Sequence, residues 1–164
     1  CKVVYLILGV SGSGKTTIGK KLSEILAIPF YDADDYHNNK NIEKMIKGLP
    51  LNDTDRKLWL KLLSLKIEEW NLHGDAILAC SALKKKYRRK LSSNGKVFFI
   101  FLDGEYNLIY QRLLKRKNHF FKKSILKDQF LSLEKPENCI NIPIDQSVNS
   151  ICLSIINNIR KSDR

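Results

Sequence analysis

Apolar residues come in two rhythms along this chain. Continuous runs rich in β-branched residues predict strands covered on both faces, whereas apolar positions returning every three or four residues predict helices with one buried face. Val3 to Leu8 is a run of the first kind, closed by Gly9. Ile18, Leu22, Ile25 and Leu26 follow at helical spacing and stop near Pro29, so the chain opens as strand, glycine loop, helix. A short strand at 29–32 leads into the polar stretch DADDYHNNKN, and Ile42, Met45 and Ile46 predict a short helix ending at Gly48, with a turn at Pro50.

Asn52, Asp53 and Thr54 are suitable caps, with Asp55 in the favourable first turn, for a helix that carries Leu58, Trp59, Leu62, Leu63, Leu65 and Ile67 to about Leu72 and ends at Gly74. Asp75 to Cys80 then reads as a strand, Ala82 to Leu91 as a helix, Val97 to Leu102 as a strand and Glu105 to Lys115 as a helix. A helix from Ser124 stops before Pro136, Cys139 to Ile142 is a fifth strand, and Val148 to Ile159 is a last helix with Ile151, Ile155 and Ile159 on one face. Strands separated by helix-length segments suit a parallel sheet, because each parallel crossover must be long. No repeat, low-complexity tract or interdomain linker interrupts residues 1–164, which read as one domain. The polar segment 115–124 (KRKNHFFKKS), between two helices, is the candidate mobile lid.

A chain of 164 residues can bury one sizeable core. Its apolar runs are too short to cross a bilayer, and residues 1–8 lead into a glycine loop rather than a small-residue cleavage site, so they read as a strand and not as a signal peptide. Cys1, Cys80, Cys139 and Cys152 form no CxxC pair or finger-like spacing, which argues against structural zinc and fits a reducing, cytoplasmic setting. The net charge of +12 predicts attraction to polyanions, from nucleotides to nucleic acid.

The chemistry concentrates at the first turn. Gly9-Val10-Ser11-Gly12-Ser13-Gly14-Lys15-Thr16 is a complete GxxxxGK[ST] phosphate loop in its required context, after a strand and before a helix. Its backbone NH groups converge on phosphate oxygens, Lys15 reaches the β and γ phosphates, and the Thr16 hydroxyl can ligand Mg2+. Asp32 and Asp34 end the second strand, where an open α/β sheet places its ligands. In an extended segment this spacing puts both carboxylates on one side, Asp32 towards a metal and Asp34 as the base that orients an incoming hydroxyl; the alternative is that both cap a helix or solvate a loop. His37 either donates to a substrate hydroxyl or satisfies a backbone carbonyl. Arg56 and Arg88 are candidate anion clamps or surface charges, and Arg88 lies in the basic run KKKYRRK. Ser81, just past the third strand, opens towards the ligand edge. Arg112, Lys115, Arg116, Lys117, Lys122 and Lys123 crowd the lid, where an arginine could close over a nucleotide. A nucleic-acid patch is the rival reading but lacks interleaved aromatics, and Trp59 and Trp70 read as core.

Several blocks together resemble the gluconate kinases of the small P-loop sugar-acid kinase family. They are GVSGSGKTT (9–17), DADDYH (32–37), NIEKMIKGLPLNDTDRKLWL (41–60), CSALKKKYR (80–88), FLDG (101–104) and RLLKRKNHFFKKSILKDQFLSLEKP (112–136), in the family's order. The resemblance implies a three-layer α/β fold with a five-stranded parallel sheet of order 2-3-1-4-5 and a mobile helical lid. It implies ATP-dependent phosphorylation of the 6-hydroxyl of D-gluconate, with ATP and Mg2+ as cofactors, in a homodimer without a specific nucleic-acid or membrane partner. Asp34, His37, Lys44, Arg56, Ser81, Arg88 and His119 would be the substrate-facing set. Gly9, Ser11, Gly12, Ser13, Gly14, Lys15, Thr16, Thr17, Arg112, Arg116, Asp145 and Gln146 would border the nucleotide. Thr16 and Asp32 would hold the metal, and Lys15, Asp34, Arg88 and Arg116 would act on the transferring group. Asn38 and Ser147 stand where the family commonly has Pro, and Ala33 where Gly is more familiar. The alternatives are another small-acceptor kinase, acting on shikimate or a nucleoside monophosphate, and a non-catalytic nucleotide- or RNA-binding module.

Overall fold

The computed structural model describes residues 2–116 and 123–162. Its elements, in chain order, are β1 (Val4–Leu8), α1 (Lys15–Leu26), β2 (Phe30–Asp32), a 3-10 turn (Ala33–Tyr36), α2 (Asn39–Ile46), α3 (Asp53–His73), β3 (Ala76–Ala79), α4 (Lys85–Leu91), β4 (Val97–Asp103), α5 (Tyr106–Leu114), α6 (Lys123–Ser132), β5 (Ile140–Pro143) and α7 (Val148–Ser162). The five strands form one parallel sheet in the order β2-β3-β1-β4-β5, as the sequence resemblance implies.

Strand alternation divides the core into two layers. Ile7 of β1, Ile77 of β3 and Ile100 of β4 pack with Ile18 and Leu22 of α1, Ile109 and Leu113 of α5, Leu126 of α6 and Ile151 and Ile155 of α7. Val4, Leu6 and Leu8, on the other face of β1, pack with Leu78, Phe101, Tyr87 and Leu91, and with Trp59, Leu63, Ile67 and Trp70 of α3. Both faces of β1 are therefore covered, which is why its sequence is almost uninterruptedly apolar. Among the described residues no helix is long and apolar enough to cross a membrane.

The register carries the strand ends of β1, β2 and β3 to one edge. Val4 to Ile7 lie beside Ala76 to Ala79, and Asp32 lies beside Ala79. The phosphate loop, the end of β2 and the segment after β3 therefore meet at the carboxyl end of the sheet, around the point where α1 leaves it. α3 starts with a capping box: Asn52 Oδ1 accepts from the Asp55 NH and Asp55 accepts from the Asn52 NH.

Two local expectations are corrected. Residues 32–34 are not one extended segment: Ala33–Tyr36 coil into a 3-10 turn, and Asp32 Oδ1 caps it by accepting from the Asp34 NH at 3.0 Å. The helix expected from Ala82 begins only at Lys85, because Ala82 has a φ of 41° and Lys84 is extended. The intervening turn is held from α6's C-terminal side, where the Glu134 NH donates to Leu83 O and Glu134 Oε1 accepts from the Lys85 NH. Most of the candidate lid at 115–124, including His119, lies outside the described residues.

Candidate active site

The phosphate loop is a backbone cradle that depends on glycine. Gly12 and Gly14 adopt φ of 80° and 102°, in the left-handed region where a Cβ is strained. A Cβ on Gly12 would also lie 2.8 Å from Leu113 Cγ, so the loop is seated directly on α5. Inside it the Ser13 hydroxyl is buried with no hydrogen-bond partner, an arrangement that an incoming phosphate oxygen would satisfy. Lys15 Nζ donates to Gly9 O and Val10 O, each at 3.0 Å. Burial lowers the Lys15 pKa, the negative charges of Asp34 and Asp32 oppose the shift, and Arg116 adds to it. Arg116 itself is exposed just beyond the end of α5.

Beside the loop, Thr16 Oγ1 donates to Asp32 Oδ2 at 3.3 Å. A hydroxyl and a carboxylate together are the hard-oxygen set that Mg2+ prefers. Asp34 leaves the same turn. Burial first, then the charge of Asp32, raises its pKa, and Lys15 opposes. Its side chain is nonetheless 69% exposed.

His37 is 9% exposed and stacks on Trp59 with ring centroids 4.2 Å apart. Its Nε2 lies 3.9 Å from Asp34 Oδ1. Burial, and secondly Arg56, pushes its pKa down to about 4, so the ring is neutral at physiological pH. Trp59 in turn donates from Nε1 to Ala33 O at 2.7 Å, anchoring the 3-10 turn to α3. The two tryptophans are core residues, as their helical spacing predicts.

The candidate cationic clamps are already engaged. Lys44 pairs with Asp55 at 2.7 Å, and that contact, followed by the Asn52 NH, holds Asp55 below the usual carboxylate range. Arg56 Nη1 donates to Leu51 O and to the Tyr87 hydroxyl, with the guanidinium 5.4 Å from the Tyr87 ring centroid. Arg88 is neither a surface charge nor presented as a free fork: the residue is 8% exposed, and its guanidinium donates to Ala82 O at 2.7 Å and Glu134 O at 2.8 Å. Ser81 is half-buried just beyond β3, and Thr17 is exposed in the first turn of α1. Arg112 donates to Ile144 O at 2.6 Å, immediately before the exposed Asp145 and Gln146. His119 lies outside the described residues.

Two contacts have no signal in the sequence. Gln129 of α6 accepts from the Ser11 NH at 2.6 Å and donates to Ser11 Oγ at 2.9 Å, clamping the phosphate loop from 118 positions away. Asn41 of α2 bridges His37 and α3. Both are single amides in helices: Gln129 meets the loop across 118 positions, and Asn41 meets α3 across 14.

Known proteins share this framework. The family model described as shikimate kinase matches residues 11–150. A probable gluconokinase from Mus musculus is 40% identical over 175 residues, covering 93% of this chain and 95% of that protein. The thermoresistant gluconokinase of Escherichia coli (strain K12) is 39% identical over 164 residues, covering 96% and 94%. The crystal structure of a gluconokinase from Sinorhizobium meliloti 1021 superposes with a TM-score of 0.90 at 31% identity, over 98% of this chain and 93% of that one. With the phosphate loop, the sheet order and near full-length similarity in agreement, the chain belongs to the gluconokinases of the shikimate kinase family.

Proposed function

We propose that the protein transfers the γ-phosphoryl group of ATP to the 6-hydroxyl of D-gluconate, giving 6-phospho-D-gluconate and ADP, with residues 1–164 acting as one kinase domain. The observation that carries this reading is the convergence at one sheet edge of the phosphate loop, the Thr16–Asp32 pair, and Asp34 beside His37. The NH groups of the loop from Gly9 to Thr17 receive the phosphates, and Lys15 exchanges the carbonyls of Gly9 and Val10 for phosphate oxygens. Thr16 and Asp32 would hold Mg2+, which when bound neutralises charge on the phosphate oxygens. Asp34 accepts the proton of the 6-hydroxyl, and its upward-shifted pKa makes it the stronger base for that task. Arg56, whose partners Leu51 O and the Tyr87 hydroxyl are uncharged, keeps a net positive charge for the gluconate carboxylate, and Lys44 meets it by exchanging its Asp55 partner, while Ser81 and His37 line the acceptor side. Arg116 and Arg112 approach the phosphates, and Asp145 and Gln146 border the adenine. Arg88 serves the reaction by bracing the turn after Ser81.

The test is Mg2+-dependent ADP release with D-gluconate, shikimate, a nucleoside monophosphate panel and a no-acceptor control, with mass identification of the product. Turnover on gluconate alone is expected; turnover on shikimate alone would overturn the acceptor assignment. Asp34→Asn is expected to lower kcat about 100-fold or more with ATP binding retained, and unchanged kcat would remove Asp34 from its role.

We also propose that the enzyme is a cytoplasmic homodimer. The outer face of α3 exposes Leu58, Leu62, Leu65 and Leu72, with relative exposures of 67%, 39%, 50% and 71%. Two antiparallel copies centred on Leu65 would bring Leu58 against Leu72 of the second copy and Lys61 against its Glu69, so apolar seam and charge match at once. Sedimentation is expected to show a dimer that Leu65→Lys dissociates; a monomeric parent chain would refute the proposal.

A further inference from the structure

Helix α2 has one buried residue, and it is polar. Asn41 is 1% exposed, in a position where an amphipathic helix ordinarily turns an apolar side chain inwards. Its amide nitrogen has two partners: Nδ2 donates to Asp55 O at 2.8 Å and lies 3.2 Å from His37 Nδ1. The first bond fixes which way the amide points, because a flipped Asn41 would set its oxygen against the Asp55 carbonyl, acceptor against acceptor. With that orientation set, the second hydrogen of Nδ2 faces His37 Nδ1, which must accept it. A neutral imidazole carries one proton, so it resides on Nε2. The Trp59 stack holds the ring plane. Around the ring stand Asp34 from the 3-10 turn, Asn41 from α2, and Arg56 with the Asp55 carbonyl from α3.

We infer that Asn41 is a positioning residue that locks His37 in its Nε2–H tautomer, so that the ring offers a donor, and never an acceptor, on the side of Asp34. A bare Nε2 would compete with Asp34 for the proton of the acceptor hydroxyl and repel its carboxylate. An Nε2–H instead donates to the hydroxyl oxygen or to the carboxylate, leaving Asp34 as the single proton acceptor and directing the free lone pair of the hydroxyl at phosphorus. The role in turnover rests on the gluconokinase reading; the tautomer does not.

The experiment is a long-range 1H–15N spectrum of the 15N-labelled full chain near pH 7.5, which distinguishes protonated from bare ring nitrogens. The sequence has 3 histidines, so loss of one signal set in His37→Gln assigns His37. The expected pattern is bare Nδ1 and protonated Nε2; an Nδ1–H ring or an averaged mixture overturns the inference whatever the activity. Asn41→Ala is then expected to mix the tautomers and to lower kcat on gluconate about tenfold with KM for ATP little changed. In a His37→Gln background, where no tautomer exists to fix, the same substitution should cost less than twofold in kcat. An equal loss of kcat in both backgrounds, or a tautomer shift without any loss, would reduce Asn41 to a structural residue and overturn the positioning role. Should Asn41→Ala fail to fold, Asn41→Ser is read by the same two criteria, and the parent spectrum still decides the tautomer. Absence of turnover by the parent protein on gluconate would refute the acceptor assignment and leave the tautomer result standing.

Discussion

Replacing Arg88 by Met keeps most of the side chain's length and apolar stem but deletes the guanidinium that holds Ala82 O and Glu134 O. Each lost bond is charge-assisted, a class that contributes about 1.5–3 kcal/mol, and both carbonyls lose their donor at a site that is 8% exposed. The guanidinium no longer has to be desolvated, which recovers part of the loss. The net expectation is about 3 kcal/mol of destabilisation, which for a chain of this size lowers Tm by roughly 6–12 °C. Urea unfolding of parent and Arg88→Met, followed by Trp59 and Trp70 fluorescence, measures it. Arg88→Lys should fall between them, since an ammonium keeps the charge but cannot fork between two carbonyls. Activity measured at a temperature where the variant is folded should drop modestly, through displacement of the turn around Ser81. A variant within about 0.5 kcal/mol of the parent, yet impaired about 1000-fold in kcat, would refute this reasoning and place the guanidinium on the transferring phosphoryl group.

Gln129→Leu removes both bonds to Ser11 while keeping the helix. It is expected to raise KM for ATP about threefold to tenfold, and an unchanged KM would show that the loop holds its shape without α6. His37 makes stability depend on pH with a defined sign. Its folded pKa of about 4 lies below the ordinary 6.5, so the unfolded chain binds the proton more tightly. Its contribution, about 3 kcal/mol, is complete above pH 6.5 and is lost as pH falls towards 4. Urea unfolding at pH 7 and pH 4.5 should therefore show a smaller acid-induced loss in His37→Gln than in the parent protein, and equal losses would contradict a buried neutral ring.

Much of the fold was readable because its determinants are local. The apolar run before Gly9 and the 3.6-residue repeats that follow it dictate strand and helix whatever the rest of the chain does, and each of the five expected strands is present. The structure departs from the local pattern where a distant residue decides a turn. Trp59 donates across 26 residues to Ala33 O, stabilising a 3-10 turn where the local pattern allowed an extended one. Glu134 meets the main chain of Leu83 and Lys85, so α4 starts three residues late.

The same division holds for the site. Phosphate binding is a property of contiguous backbone, since glycines at Gly12 and Gly14 permit the left-handed turns that aim successive NH groups inwards, and so the sequence by itself determined the loop and the helix behind it. Which nitrogen of an imidazole meets an amide donor, and where the guanidinium of an arginine is held, depend on partners brought together from separate elements. Asn41, Asp55 and Trp59 decide the first, Ala82 and Glu134 the second. Side-chain hydrogen bonds of this kind have short reach and strict geometry, so only the tertiary structure, by closing long loops, could assign them.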